Sequence, residues 1–173
     1  MTDTPYRFRL GADAEAMAVV RTGLERFNVK QVGEYGYEDF QLYARDGADQ
    51  VVGGMFGHSG MGWLYVDYLW LAEAQRGAGL GAQLMAQVED EARRRGCVGV
   101  FLYTYSFQAP DFYHKLGYQL LGVLDDCPPG HQRLYLKKPL PAIAAETGYR
   151  LDTSPHQPSD LVSLQSGART FVN

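Results

Sequence analysis

The stretch Arg76-Gly77-Ala78-Gly79-Leu80-Gly81 is where this chain could grip a ligand. Its glycines let the backbone turn sharply and lie close to a bound group. A helical pattern follows, and the first N–H groups of a helix have no main-chain partner. Together these features make a seat for phosphate oxygens. The plainer alternative is a turn that lets the helix pack tightly on a sheet. No Lys-Ser/Thr follows Gly81, so the run is not a Walker A loop. It is a poor dinucleotide fingerprint too, because Glu91, the acid at a comparable spacing, falls inside the helical pattern rather than at a strand end.

Asp67 is the second chemical feature. Its neighbours Tyr65, Val66, Tyr68 and Leu69 are apolar or aromatic. An unpaired carboxylate facing a core is expensive, so Asp67 must face a cleft or a cation. It could serve as a base or an amine anchor, or simply form a surface ion pair. Strict alternation puts Asp67, Leu69 and Leu71 on one face unless a bulge intervenes. The four histidines have no metal-binding spacing, which argues against a metal site. Cys97 opens an apolar strand and Cys127 precedes Pro128-Pro129, neither with a histidine or acid beside it. That argues against an acyl-cysteine route.

The elements that must hold these groups follow from periodicity. Tyr6–Leu10 alternates and predicts a first strand. A helix is expected over 13–27, capped by Asp13, then a loop or short second helix over 28–38. Strands are expected at 40–45 and 51–56, forming a hairpin, with His58–Gly62 as a glycine-punctuated link. A long strand, 63–71, leads into the glycine run and a helix over 79–95, which Gly96 closes. Residues 97–105 predict a strand buried on both faces, completing a β-α-β unit. A short helix, 109–116, and strands at 118–124 and 132–137 end the pattern.

The length of 173 residues suits one domain over residues 1–140 and an extension over 141–173. The extension is rich in proline, serine, threonine and glutamine, with a possible short strand at 161–164. Ordered, it would lean on the core or on a second subunit, the latter giving a homodimer. A net charge of -4 gives no general drive toward nucleic acid or an anionic membrane. The polar N-terminus, the lack of a long apolar run and the two cysteines point to a cytoplasmic protein.

Two segments, in order and in a matching topology, resemble the GCN5-related N-acetyltransferase (GNAT) superfamily. Arg76–Gly81 matches its R/Q-x-x-G-x-G/A pattern, and Ser106-Phe107-Gln108-Ala109-Pro110-Asp111-Phe112-Tyr113-His114-Lys115-Leu116-Gly117-Tyr118 looks like its second signature. The resemblance covers about residues 5–140. It implies a mixed α/β fold, with a mostly antiparallel sheet splayed between the fourth and fifth strands and helices on both faces. It implies acetyl-coenzyme A in the splay as co-substrate. Leu69, Trp70 and Leu71 would bond through their backbone to the pantetheine arm. Arg76, Gly77, Ala78, Gly79, Leu80 and Gly81 would cradle the pyrophosphate. Phe107, Phe112 and Tyr113 would border the thioester, and Ser106 stands where many members place a pantetheine-contacting Asn. Tyr113 resembles the family tyrosine that faces the sulfur, and so is expected to be the general acid. Asp67 stands where polyamine-type members carry a glutamate, which implies the base or the amine anchor.

Acceptor-side residues are expected at Phe27, Glu34, Tyr35, Tyr37, Glu38, Trp63, Tyr65, Asp125, Asp126 and His131. Acids beside aromatic walls suit a cationic small-molecule amine. The expected reaction is direct attack of that amine in a ternary complex. A protein or peptide N-acetyltransferase, or a non-catalytic acyl-coenzyme A sensor, are the competing readings.

Overall fold

The protein is seen here as a computed structural model that describes residues 6–141. The expected extension falls, but for residue 141, outside the described residues, as does the strand at 161–164. Tyr6–Leu10 is exposed and forms no strand. Its alternation supplies a face, but no described strand edge pairs with it. Helix α1 spans Ala14–Val32, opened by the Asp13 carboxylate, which accepts from the Ala16 N–H at 2.9 Å. It runs five residues past the expected end, because nothing before Gly33 breaks it; there φ reaches 79°.

The rest of the order is β1 (Glu38–Arg45), β2 (Val51–Gly60), β3 (Trp63–Leu71), α2 (Leu80–Arg94), β4 (Gly99–Tyr105), α3 (Pro110–Lys115), β5 (Gln119–Asp125) and β6 (Gln132–Pro139). One sheet is strung as β1-β2-β3-β4-β6-β5. All neighbours are antiparallel except β3 and β4, which α2 joins as a parallel crossover. This is a mixed α/β fold with a mostly antiparallel sheet and flanking helices.

β2 is longer than its sequence suggested. It continues through His58 to Gly60 and meets β3 across the two-residue turn Met61-Gly62, both at positive φ. Its glycines look like breakers, yet they stand where neighbours crowd. A methyl group on Gly57 would sit 1.9 Å from the Tyr65 carbonyl oxygen. At this point Gly57 pairs with Val66 and Phe56 with Tyr68, so Asp67 has no partner on β2. Asp67 is therefore the extra residue of a bulge.

The bulge shifts the alternation of β3. Leu64 and Val66 face the core before it; Leu69 and Leu71 face it after. The expectation that Asp67, Leu69 and Leu71 share a face is corrected on this ground. β4 is corrected as well. Val100, Leu102 and Thr104 are buried, but Phe101 and Tyr105 are only half-buried and Tyr103 is exposed. Its second face carries an aromatic surface instead of a second core.

The core forms where α2 lays Leu84, Met85, Val88 and Ala92 on Met55, Leu64, Val100, Leu102 and Leu136. Their helical spacing makes one apolar stripe. α3 adds Tyr113 to the same cluster. Each fully buried Leu or Met contributes about 1.5–3 kcal/mol. Glu89, buried on α2, is held by Lys138 Nζ at 2.8 and 2.7 Å. Arg95, just past α2, bonds the carbonyls of Glu38 and Asp39 and the Ser59 hydroxyl, tying α2 to the start of β1.

Gly57→Ala should destabilise the protein by about 3 kcal/mol in urea unfolding, since backbone blocks the new methyl. Gly47→Ala, in open space, should change stability by about 0.5 kcal/mol or less.

Candidate active site

β3 and β4 pair only from Trp63–Val66 to Gly99–Leu102. Beyond that, β3 runs on to Leu71 and β4 to Tyr105 with no hydrogen bonds between them. The sheet opens here as a V. The expected splay between the fourth and fifth strands thus falls between the third and fourth, because Tyr6–Leu10 is no strand. About 15 Å of β3 edge, from Asp67 to Leu71, offers unpaired backbone to a ligand. Leu69, Trp70 and Leu71 all lie on this edge.

The glycine run sits at the mouth of the V. Gly77 and Gly79 are left-handed at φ 77° and 87°, and side chains there would meet open space. The first helical bond of α2 runs from the Gln83 N–H to the Gly79 carbonyl at 3.1 Å. The amides of Leu80, Gly81 and Ala82 therefore precede the helical ladder, and those of Gly77, Ala78 and Gly79 have no main-chain acceptor among the described residues. Arg76 is exposed, its Nε donating to the Leu71 carbonyl at 3.3 Å. Glycine conformation, free amides and a cation together fit a pyrophosphate, and the strand edge fits an amide-bearing arm. Acetyl-coenzyme A carries both.

The structure separates the residues of the second signature. The Ser106 hydroxyl accepts from the Gln132 N–H at 3.1 Å, binding β6 to the end of β4, and keeps its own proton to offer a ligand. Phe107 stacks on Tyr105 at 5.2 Å and meets His131 at 4.9 Å. Phe112 lies against Gly81 and meets Tyr113 edge-on at 5.0 Å. Tyr113 is 8% exposed on the core face, and burial alone pushes its phenol up to about 12.

The other face of the sheet carries a ribbon of rings. Tyr35, Tyr37, His58, Tyr65, Phe101 and Tyr135 touch in succession, with centroids 4.8–6.3 Å apart. Asp67 lies on this face, its Oδ2 3.1 Å from His58 Nδ1. Asp39 is the cross-strand partner of His58 on β1. Burial pushes the Tyr65 hydroxyl up, helped by Tyr37. The V thus lies between a buried phenol on one face and a carboxylate–imidazole pair on the other.

Sequence reasoning missed His58 and Asp39. The signal was the hairpin: a two-residue turn at Met61-Gly62 sets His58 opposite Tyr65. Tyr35, Tyr37, Tyr65 and His131 do join the aromatic surface. Glu38 instead approaches Arg95 at 3.5 Å. Trp63 lies at the closed end of the V, paired with Gly99. Asp125 accepts from the side chain of its β6 partner Gln132, and Asp126 from the Gly130 amide within the connecting loop. Phe27 is exposed on α1.

The family model described as acetyltransferase (GNAT) family matches residues 20–118. The acetyltransferase Atu2258 of Agrobacterium fabrum is 37% identical over 127 residues, 73% of this chain and 93% of that protein. The blasticidin-S acetyltransferase of Streptomyces morookaense is 44% identical over 94 residues, 54% of this chain and 69% of that protein. A crystal structure of an acetyltransferase from Bacillus cereus superposes with a TM-score of 0.73 at 28% identity, covering 78% of this chain and 98% of that one.

Tyr113 should be visible in alkaline unfolding. Its folded value of about 12 lies above the ordinary phenol value of about 10. The folded state therefore holds the proton longer, and stability present below pH 10 is lost as pH rises toward 12. Tyr113→Phe should flatten the stability curve over that window by roughly 2–3 kcal/mol, read by denaturant unfolding at each pH.

Proposed function

Because this chain belongs to the acetyltransferase (GNAT) family and is an acetyl-coenzyme A-dependent acetyltransferase, we propose that its acceptor is the primary amine of a small cationic molecule. The observation that carries this reading is the acceptor-side face: Asp39 and Asp67 on either side of His58, among stacked rings at the opening of the V. Carboxylates attract an ammonium, and aromatic faces favour a cation. The likeness to a blasticidin-S acetyltransferase supports a small acceptor over a protein.

In this reading the free amides of Gly77–Gly81 hold the pyrophosphate, with Leu80 in the first turn, and Arg76 adds charge at the rim. The backbone of Leu69, Trp70 and Leu71 aligns the pantetheine arm along β3. Ser106 offers it one donor, and Phe112 backs the first turn of α2. The co-substrate supplies an activated acetyl group; the protein orients it and manages protons. Tyr113 stays protonated at neutral pH because burial holds its phenol near 12. It donates a hydrogen bond to the departing sulfur. Full transfer to a thiolate of reference pKa near 8.5 would run about 3.5 pH units uphill, so donation precedes release. Asp67 concentrates negative charge where the amine enters. The two unpaired, half-buried cysteines accord with a reducing, cytoplasmic setting.

Thiol release from acetyl-coenzyme A should separate the acceptor classes. The panel is blasticidin S, an aminoglycoside, spermidine, lysine and a lysine-containing peptide. Turnover of a small cationic amine is expected; turnover of the peptide alone would overturn the reading. Tyr113→Phe should lower kcat by about 10- to 100-fold while the calorimetric Kd for coenzyme A moves by less than about twofold. Unchanged kcat would remove Tyr113 from the chemistry.

A further inference from the structure

Resting on the amine-acceptor reading, we infer that His58 is the catalytic base that takes the amine's proton, and that Asp67 is its positioning residue. The hairpin sets the pair. His58 sits opposite Tyr65, and the bulge delivers Asp67 to the same face, with Oδ2 3.1 Å from Nδ1. An ionised carboxylate only accepts hydrogen bonds, so in the neutral imidazole Nδ1 carries the proton and Nε2 keeps its lone pair. Tyr65 stacks on the ring at 4.8 Å and 11°, and Tyr37 lies against it at 5.7 Å. The ring is thus fixed in rotation, while 30% of the side chain stays open to an incoming nitrogen.

Magnitudes favour the imidazole over the carboxylate. Moving a proton from an alkylammonium near 10.4 to a carboxylate near 3.9 is unfavourable by about six and a half orders of magnitude. To an imidazole near 6.5 it is unfavourable by about four. The titratable groups facing His58 are Asp39 from β1, Tyr65 and Asp67 from β3, and Tyr37 from the segment before β1. Two carboxylates flank the ring, so the imidazolium formed in the step is compensated by charge already in place.

The protons balance. The ammonium gives one proton to His58 Nε2, which returns it to solvent. The neutral nitrogen bonds to the acetyl carbon as the carbon–sulfur bond breaks. The second nitrogen proton passes to the freed His58 Nε2 and on to solvent as the amide forms, and the sulfur, hydrogen-bonded by Tyr113, which keeps its own proton, takes one from solvent. The products are an amide, a free thiol and one released proton.

The test uses the full chain and the panel amine that it acetylates fastest. His58→Gln should lower kcat/KM at pH 7 by about 100- to 1,000-fold and abolish the acid limb of its pH profile. Coenzyme A affinity by calorimetry should stay within about twofold. Asp67→Asn should lower kcat about tenfold on top of the rise in amine KM that its lost charge brings, and cost less than about threefold more in kcat in the His58→Gln background. In the free protein, nitrogen NMR should find the His58 proton on Nδ1, and Asp67→Asn should weaken that preference. An active wild type whose His58→Gln variant keeps its rate and acid limb overturns the proposal. So does a rise in amine KM alone for Asp67→Asn, or a proton resident on Nε2. Should His58→Gln not fold, Asp67→Asn and the NMR measurement decide. Lack of any amine turnover by the wild type would instead overturn the acceptor reading, and the tautomer would still test the pair.

Discussion

The close approach of β2 and β3 at Gly57 constrains everything that follows. With no side chain at Gly57, the Tyr65 carbonyl can come in where a methyl group would be 1.9 Å away. That approach accommodates one extra residue in β3, and the extra residue is Asp67. A bulge bends its strand and increases local twist. One residue before it, the pairing of β3 with β4 ends at Val66 and Leu102. The bulge therefore coincides with the start of the V, and it turns a carboxylate out of the core toward His58 while returning Leu69 and Leu71 to it.

The opening joins two unlike environments. On the core face, α2 and α3 bury Tyr113, and its phenol is pushed up by desolvation. On the other face, Asp39, Asp67 and His58 are set among partly open rings. A neutral donor belongs in the first setting, because desolvation disfavours ionisation. A proton acceptor with its counter-charge belongs in the second. At the mouth of the V, the start of α2 supplies amides that the helix itself cannot satisfy. Each feature is a local consequence of geometry, and a thioester laid along the β3 edge would meet all three.

The frame around the opening is braced on both sides. α2 is anchored by its apolar stripe, by the Glu89–Lys138 ion pair and by Arg95, which fastens its far end to β1. Ser106 fastens β6 to the end of β4. Both edges of the V are thereby held from outside, so the gap stays open without hydrogen bonds across it. That preorganisation reduces the cost of ordering a long flexible co-substrate.

How much of this was legible from residues alone depends on the range of the physics. Arg76–Gly81 was read correctly as a strand-to-helix turn because helix ends and glycine conformation are set by a few adjacent residues. The α2 stripe and most strand positions were legible for the same reason: periods of 3.6 and 2 are local. Tyr6–Leu10 had the right period and no partner, and a period alone cannot supply an edge. The end of β2, the bulge at Asp67 and its pairing with His58 depend on what crowds Gly57 from a neighbouring strand. Residues 58 and 67 meet only when register is fixed, and a one-residue slip turns side chains to the opposite face. By itself, then, the chain's order of residue types determined the family, most of the elements and the glycine turn ahead of α2. Tertiary structure alone decided which side of the sheet each acid and ring would occupy, because side-chain direction in a sheet follows from the contacts between strands.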